Sequence, residues 1–306
     1  MDVFYGTCIF LFGLAFGSFL NVCIHRIPRG QSVVFPSSAC PKCHTEIKPY
    51  DNLPVLSWLI LGGRCRSCRT PITPRYAVME LLTAFLFLAC YWSFGYSLAT
   101  VKYCIFCFLI TGLVFIDAEW KLLPDLLTLP GLVIGLVSSW FVPVDRLLSD
   151  LMPMFFNVPL VQSGRLLSFV ESAAGALVGA AFIFGVGFIY LQARGVEGMG
   201  FGDVKLMGMV GAFLGVKLTI FTIFSASLVG TAFGLALMLN VWTARTRRRM
   251  MRHHEPAKLA RRKAWHSAML VYRHYQVPFG VFLGGMALIA MFFGKRMLGW
   301  YWGLYL

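Results

Sequence analysis

Between Val3 and Ile24 no side chain carries a formal charge, and seven further apolar runs follow, near residues 77–95, 98–116, 126–144, 166–191, 204–216, 219–241 and 277–303. A helix needs about 20 mainly apolar residues to cross a bilayer, and inside lipid only helices and closed barrels satisfy their own backbone polar groups. Runs of this length exclude a water-soluble globular fold. The chain is 58% hydrophobic and 13% charged, whereas soluble chains are about half apolar and about a quarter charged. The expectation is an all-α polytopic membrane protein with about eight transmembrane helices.

Charge order sets the expected orientation. His25, Arg26 and Arg29 follow the first run and no basic residue precedes it, the reverse of a cleavable signal peptide. An uncleaved first span with its N-terminus outside puts segments 25–75, 117–125, 192–205 and 242–276 inside. Those segments hold 21 of the 27 Lys and Arg residues, as the positive-inside bias requires. The net charge of +14 would indicate nucleic acid in a soluble protein. Here it concentrates in inside segments, so the basic loop 242–276 is expected to lie against anionic lipid headgroups and no nucleic-acid partner is expected. Glycine pairs at four-residue spacing, Gly175/Gly179 and Gly230/Gly234, are expected to pack helices closely. No fixed-period repeat is evident.

The polar stretch after the first run carries Cys40-Pro41-Lys42-Cys43 and, 21 residues later, Cys65-Arg66-Ser67-Cys68. Two Cys-x2-Cys pairs can aim four thiolates at one ion, a closed tetrahedral site of structural zinc type. So small a loop has little core, so the metal is expected to supply most of its stability. Cys40, Cys43, Cys65 and Cys68 are the expected ligands, with His25 and His44 left in solvent. Cys8, Cys23, Cys90, Cys104 and Cys107 fall in apolar runs, where free thiols behave as small hydrophobes. The division is residues 1–24 as first transmembrane helix, 25–76 as cytoplasmic zinc-binding insertion, and 77–306 as transmembrane core.

Two aspartates stand at run ends on the inside face: Asp117 in Phe115-Ile116-Asp117-Ala118-Glu119, and Asp203 in Gly198-Met199-Gly200-Phe201-Gly202-Asp203-Val204-Lys205-Leu206. Ionisable residues at membrane segments are functional-site hypotheses by default. Two carboxylates held close share a proton, so one can activate water while the other protonates a carbonyl. The residues alone leave other readings open: aspartates that cap helices or bond the nearby Lys205 and Lys121, or proton carriers in a transporter. A transporter would place them near the midplane between repeats. His-Glu-x-x-His, Gly-x-Ser-x-Gly and a strand-flanked Gly-x-Gly-x-x-Gly are all missing from the sequence.

The ordered motifs resemble the type IV prepilin peptidases, the bifunctional leader peptidase and N-methyltransferase family of bacterial membranes. The resemblance is carried by Gly17-Ser18-Phe19-Leu20-Asn21-Val22 with Arg26 and Pro28, the two cysteine pairs around Asp51-Asn52-Leu53-Pro54, and Arg75-Tyr76 with Glu80. It continues through Ile116-Asp117, Leu122-Leu123-Pro124-Asp125, the glycine turn to Asp203, and Pro278-Phe279-Gly280. It implies that Asp117 and Asp203 are the catalytic pair of a Gly-x-Gly-Asp peptidase in the inner membrane. It also implies cleavage of the short basic leaders of prepilins or pseudopilins and methylation of the new amine by S-adenosylmethionine. By family position alone, Asn21, Arg26 and Glu80, with Asp51, Asn52 and Arg75, are candidates for holding that methyl donor. A simpler reading pairs Glu80 with Arg75, and a monofunctional peptidase with a purely structural zinc loop is the alternative. The chain departs from the family pattern in a longer basic segment 242–276, an extended segment around 145–165, and Val281 where a proline is frequent.

Overall fold

The computed structural model describes residues 2–144, 164–196, 200–253, 256–274 and 278–303. Gly198 and Met199 of the glycine turn, and nearly all of the extended segment around 145–165, lie outside the described residues. Within them the chain is helical, with only two isolated antiparallel bridges, Ala39 with Glu46 and Arg64 with Pro71.

Helix α1 spans Asp2–Arg26 and the short α2 spans Leu56–Ile60 within the polar insertion. Then come α3 (Arg75–Phe94), α4 (Leu98–Trp120) and α5 (Asp125–Ser139). The remainder is α6 (Gly164–Arg194), α7 (Phe201–His253), α8 (Ala257–His274) and α9 (Phe279–Gly303). Six of these, α1, α3, α4, α6, α7 and α9, are long and apolar enough to cross a membrane. Helix α5 has 15 residues, about 22 Å at 1.5 Å per residue, against about 30 Å of hydrocarbon. It stops five residues short of the expected 144. Ser138 and Ser139 turn their hydroxyls back onto the carbonyls of Gly135 and Leu136, and Pro143 cannot continue a helix.

Helix α7 folds back on itself at Gly215, whose φ of 77° and ψ of 176° interrupt the helical backbone. A Cβ placed at Gly179 of α6 would meet both Met207 C and Thr219 Cγ2 at 3.0 Å. Those two residues would lie about 18 Å apart along a straight helix. The limb before Gly215 therefore runs antiparallel to α6 and the limb after it runs parallel. The turn fits because a Cβ at Gly175 would stand only 2.8 Å from Gly215 C and 2.5 Å from Gly211 O. The expected boundary at Val216-Lys217-Leu218 thus falls one residue earlier, with no loop. Among the described residues six helices are long enough to span, and the fold-back divides the longest of them, α7, into two limbs.

The core joins these helices through Leu20 of α1, Met79 of α3, Phe106 and Ile110 of α4, Phe213 of α7 and Leu283 of α9, all fully buried. In the basic segment 242–276, expected as a cytoplasmic loop, the described residues form a hairpin of two helices, the end of α7 and α8. Ala260, Ala264 and Ala268, one turn apart on α8, are buried, and their small side chains let α8 close on the extension of α7. Trp242 Nε1 donates to the Arg261 carbonyl at 3.1 Å and its ring meets Trp265 edge-on.

Candidate active site and metal-binding loop

Asp117 lies in the last turn of α4, where its carbonyl accepts the Lys121 N–H at 2.9 Å as the helix ends. The residue is only 6% exposed. The Val281 N–H, at the start of α9, donates to Asp117 Oδ2 at 3.1 Å. Gly280 makes this approach possible, because a Cβ there would stand 2.8 Å from that oxygen and 3.2 Å from Leu123 Cδ1. Asp203 sits in the first turn of α7, not at its cap, with its N–H donating to Gly200 O at 3.1 Å. A Cβ at the neighbouring Gly202 would meet Leu123 Cβ at 2.8 Å. Leu123 is therefore the common packing point of the Gly202–Asp203 turn and the Gly280–Asp117 contact. The two carboxylates lie within electrostatic reach of one another. Lys205 gives its ammonium to Asp125, at 2.6 and 2.7 Å from the two carboxylate oxygens, and sits over the Phe201 ring. The simple pairing of Lys205 with Asp203 is not what forms.

The four cysteines come together in the polar insertion by two copies of one turn. In the first, the Cys40 N–H bonds Thr45 O and the His44 N–H bonds Cys40 O; in the second, Cys65 bonds Thr70 O and Arg69 bonds Cys65 O. His44 and Arg69 occupy matching left-handed positions, with φ of 55° and 56°. All four Sγ atoms lie within 4.8 Å of each other, with Cys40–Cys68 at 3.7 Å and Cys43–Cys65 at 4.0 Å. Thiolates about 2.3 Å from a tetrahedral zinc stand about 3.8 Å apart, whereas a disulfide needs about 2.05 Å. The donor set fits a zinc ion. Hydrogen bonding with the Thr70 hydroxyl pulls the Cys68 thiol down to about 6, toward the thiolate that a metal binds. His25 and His44 are both exposed.

The bacterial peptidase A24 N-terminal domain matches residues 11–94, which include the insertion, and the type IV leader peptidase family matches residues 103–235, which include both aspartates. A prepilin leader peptidase/N-methyltransferase of Aeromonas hydrophila is 31% identical over 321 residues, 97% of this chain and 93% of its own. The chain belongs to the type IV leader peptidase family. Proteins of the same description from Pseudomonas aeruginosa and Klebsiella pneumoniae are 33% and 37% identical, covering 76% and 69% of this chain and 80% and 86% of their own. No solved structure matches.

Within this family member the three candidates for holding a methyl donor do not form one cluster. Asn21 Nδ2 donates to Tyr76 O at 3.1 Å and ties α1 to the start of α3. Glu80, 7% exposed, accepts the Val55 N–H at 2.7 Å through Oε2. Val55 has φ 61° and ψ −48°, a genuine outlier for a β-branched residue, so Glu80 holds a strained turn of the insertion against the bundle. The expected pairing of Glu80 with Arg75 does not form; Arg75 pairs with Glu119 near the end of α4. Arg26 alone faces an open cleft, donating to Ser32 O at 3.0 Å and Ser37 O at 3.4 Å. Asp51 forms a two-pronged pair with Arg66 at 2.8 and 2.6 Å, and Arg66 holds its carboxyl below the ordinary range. Sequence reasoning missed Glu46 and Lys48, which line the same cleft; two charges in a polar loop give no periodic or spacing signal.

Proposed function

We propose that this chain cleaves the leader peptides of type IV prepilins, and of pseudopilins, by an aspartic dyad of Asp117 and Asp203, then N-methylates the new amine. The packing of the Gly202–Asp203 turn and of the Gly280–Asp117 contact on one residue, Leu123, in a chain of this peptidase family, is the observation that supports the reading. The bond between the Val281 N–H and Asp117 Oδ2 fixes one carboxylate. The ionised aspartate takes a proton from water as its oxygen bonds to the scissile carbonyl carbon, and the protonated one gives its proton to the carbonyl oxygen. When the C–N bond breaks, a proton returns to the amine that leaves. The glycines beside Asp203 leave room for an extended substrate backbone.

In this reading the N-terminus is periplasmic, and the aspartates and the insertion face the cytoplasm of the inner membrane. Cys40, Cys43, Cys65 and Cys68 hold a structural zinc. The methyl donor, S-adenosylmethionine, supplies an electrophilic methyl group. The basic α7–α8 hairpin lies against anionic headgroups. Replacing Asp117 or Asp203 with Asn is expected to lower leader cleavage of a co-purified prepilin by about 10²–10⁴-fold with zinc content unchanged. Full cleavage by both single variants would overturn the dyad. Mass measurement of the pilin N-terminus reads cleavage and methylation together.

A further inference from the structure

The cleft faced by Arg26 lies between the end of α1 and the outer side of the first cysteine turn and has a volume of about 680 Å³, within the roughly 300–1,000 Å³ of small-molecule sites. Its walls are of three kinds. Val22, Val33 and Ile47 give an apolar side; Arg26 and Lys48 supply positive charge; Glu46 supplies the one carboxylate. Ser37, Ser38 and Asn52 add hydroxyl and amide groups. The first cysteine turn shapes one wall directly, since Ile47 N–H donates to Ser38 O at 2.8 Å and Cys40 N–H to Thr45 O at 3.0 Å. The cleft also opens at the same end of the bundle as the aspartates. Arg29, one turn past Arg26, places its guanidinium 4.7 Å from the Trp120 ring centre, three residues beyond Asp117.

Resting on the methyltransferase reading, we propose that this cleft binds S-adenosylmethionine. Lys48 and Arg26 meet the carboxylate of its amino-acid end, Glu46 faces its cationic groups, and the apolar wall with Asn52 takes the adenine. A ligand with both charges at one end and a flat ring at the other matches a site that carries both charges beside an apolar wall. Arg26 has five N–H donors and spends two on backbone carbonyls, so it both closes the 27–37 segment and retains donors. In the transfer, the lone pair of the pilin's terminal amine forms the new C–N bond as the C–S bond breaks. That electron pair stays on sulfur, leaving a neutral thioether, and the amine's proton passes to water at the open mouth. The acceptor amine, made at the aspartates and held at that membrane face by the hydrophobic segment behind it, has a short way to travel.

The test uses the full-length protein in nanodiscs, with equilibrium binding of S-adenosylmethionine and photolabelling by its tritiated methyl form. Glu46→Gln and Lys48→Met are each expected to weaken binding at least tenfold while zinc stoichiometry and leader cleavage stay at wild-type levels. The photolabel is expected on peptides within residues 22–52, and removal of the metal by chelation is expected to abolish binding. Wild-type affinity in both variants, with the label mapping elsewhere, overturns the cleft. Unchanged S-adenosylmethionine affinity together with weaker retention of anionic lipid also overturns it and makes the cleft a headgroup site. If wild-type protein cleaves prepilin yet neither binds nor transfers the methyl group, the methyltransferase reading itself fails.

Discussion

The cysteine site and the aspartate site are built in opposite ways. The thiols fall within one short stretch, Cys40 and Cys68 being 28 positions apart, and two copies of one local turn aim them at a common point. The carboxylates stand on different helices, and the N–H that orients Asp117 is 164 positions away. A local site in a loop with little core depends on a metal to hold it closed. A dispersed site depends on how tightly whole helices pack, which is why glycines at 202 and 280 border it. The first should fail by losing an ion, the second by a shift of a fraction of an ångström.

The largest expected effect tests the local half. Cys40→Ser should release the metal and, with it, binding energy of the order of 10–16 kcal/mol seen for structural zinc sites. Limited proteolysis should then cut between Arg64 and Arg69, while α1, α3 and α4 remain protected. Loss of protection across the whole bundle would show that the two regions are one folding unit and not two.

Next comes the dispersed half. Gly280→Val puts a side chain where Asp117 Oδ2 now stands 2.8 Å from the Cβ position. Misplacing a catalytic group by about 1 Å can cost about 100-fold, so prepilin cleavage should fall by about 10- to 100-fold with zinc content intact. Wild-type turnover in this variant would mean that the Gly280 approach does not position Asp117.

A smaller effect is expected where the halves join. Glu80→Ala leaves the Val55 N–H without its acceptor, a loss of about 1–3 kcal/mol. Hydrogen exchange should rise around residues 53–60 and stay level near Asp117 and Asp203. The smallest effect belongs to the solvent-facing Asp51–Arg66 pair. Its carboxyl is held below the ordinary value of 3.8 by the Arg66 guanidinium, so what stability it gives is complete above that pH and is lost as pH falls through the lower folded value. At neutral pH Asp51→Asn should leave the melting temperature within error in high salt, because exposed pairs contribute little.

The two halves also differed in how much could be read from residues alone. The paired cysteines named their own partners, because Cys-x2-Cys spacing matches a turn and four thiolates match one ion. The long apolar runs and the small residues of α7 were legible for the same local reason: length and spacing are enough. Several contacts were not. Arg75 was expected beside Glu80 but reaches Glu119, and Lys205 reaches Asp125, since a flexible charged side chain takes whichever partner the packing brings near. The reversal at Gly215 was placed at Val216–Leu218, because a single glycine in a helical run looks the same whether it bends the chain or only lets a neighbour close.

What the sequence by itself determined is a multi-helix membrane chain, a four-thiolate site and two carboxylates at one end of their runs. Each is a property of neighbouring residues and of how far a helix or turn carries them. Only the tertiary structure decided that Leu123 packs at both the Gly202–Asp203 turn and the Gly280–Asp117 contact, that Val281 orients Asp117, and that Glu46 and Lys48 line one cleft with Arg26. Those relations cross helices tens of residues apart. They follow from which surfaces pack against which, and no local spacing encodes that.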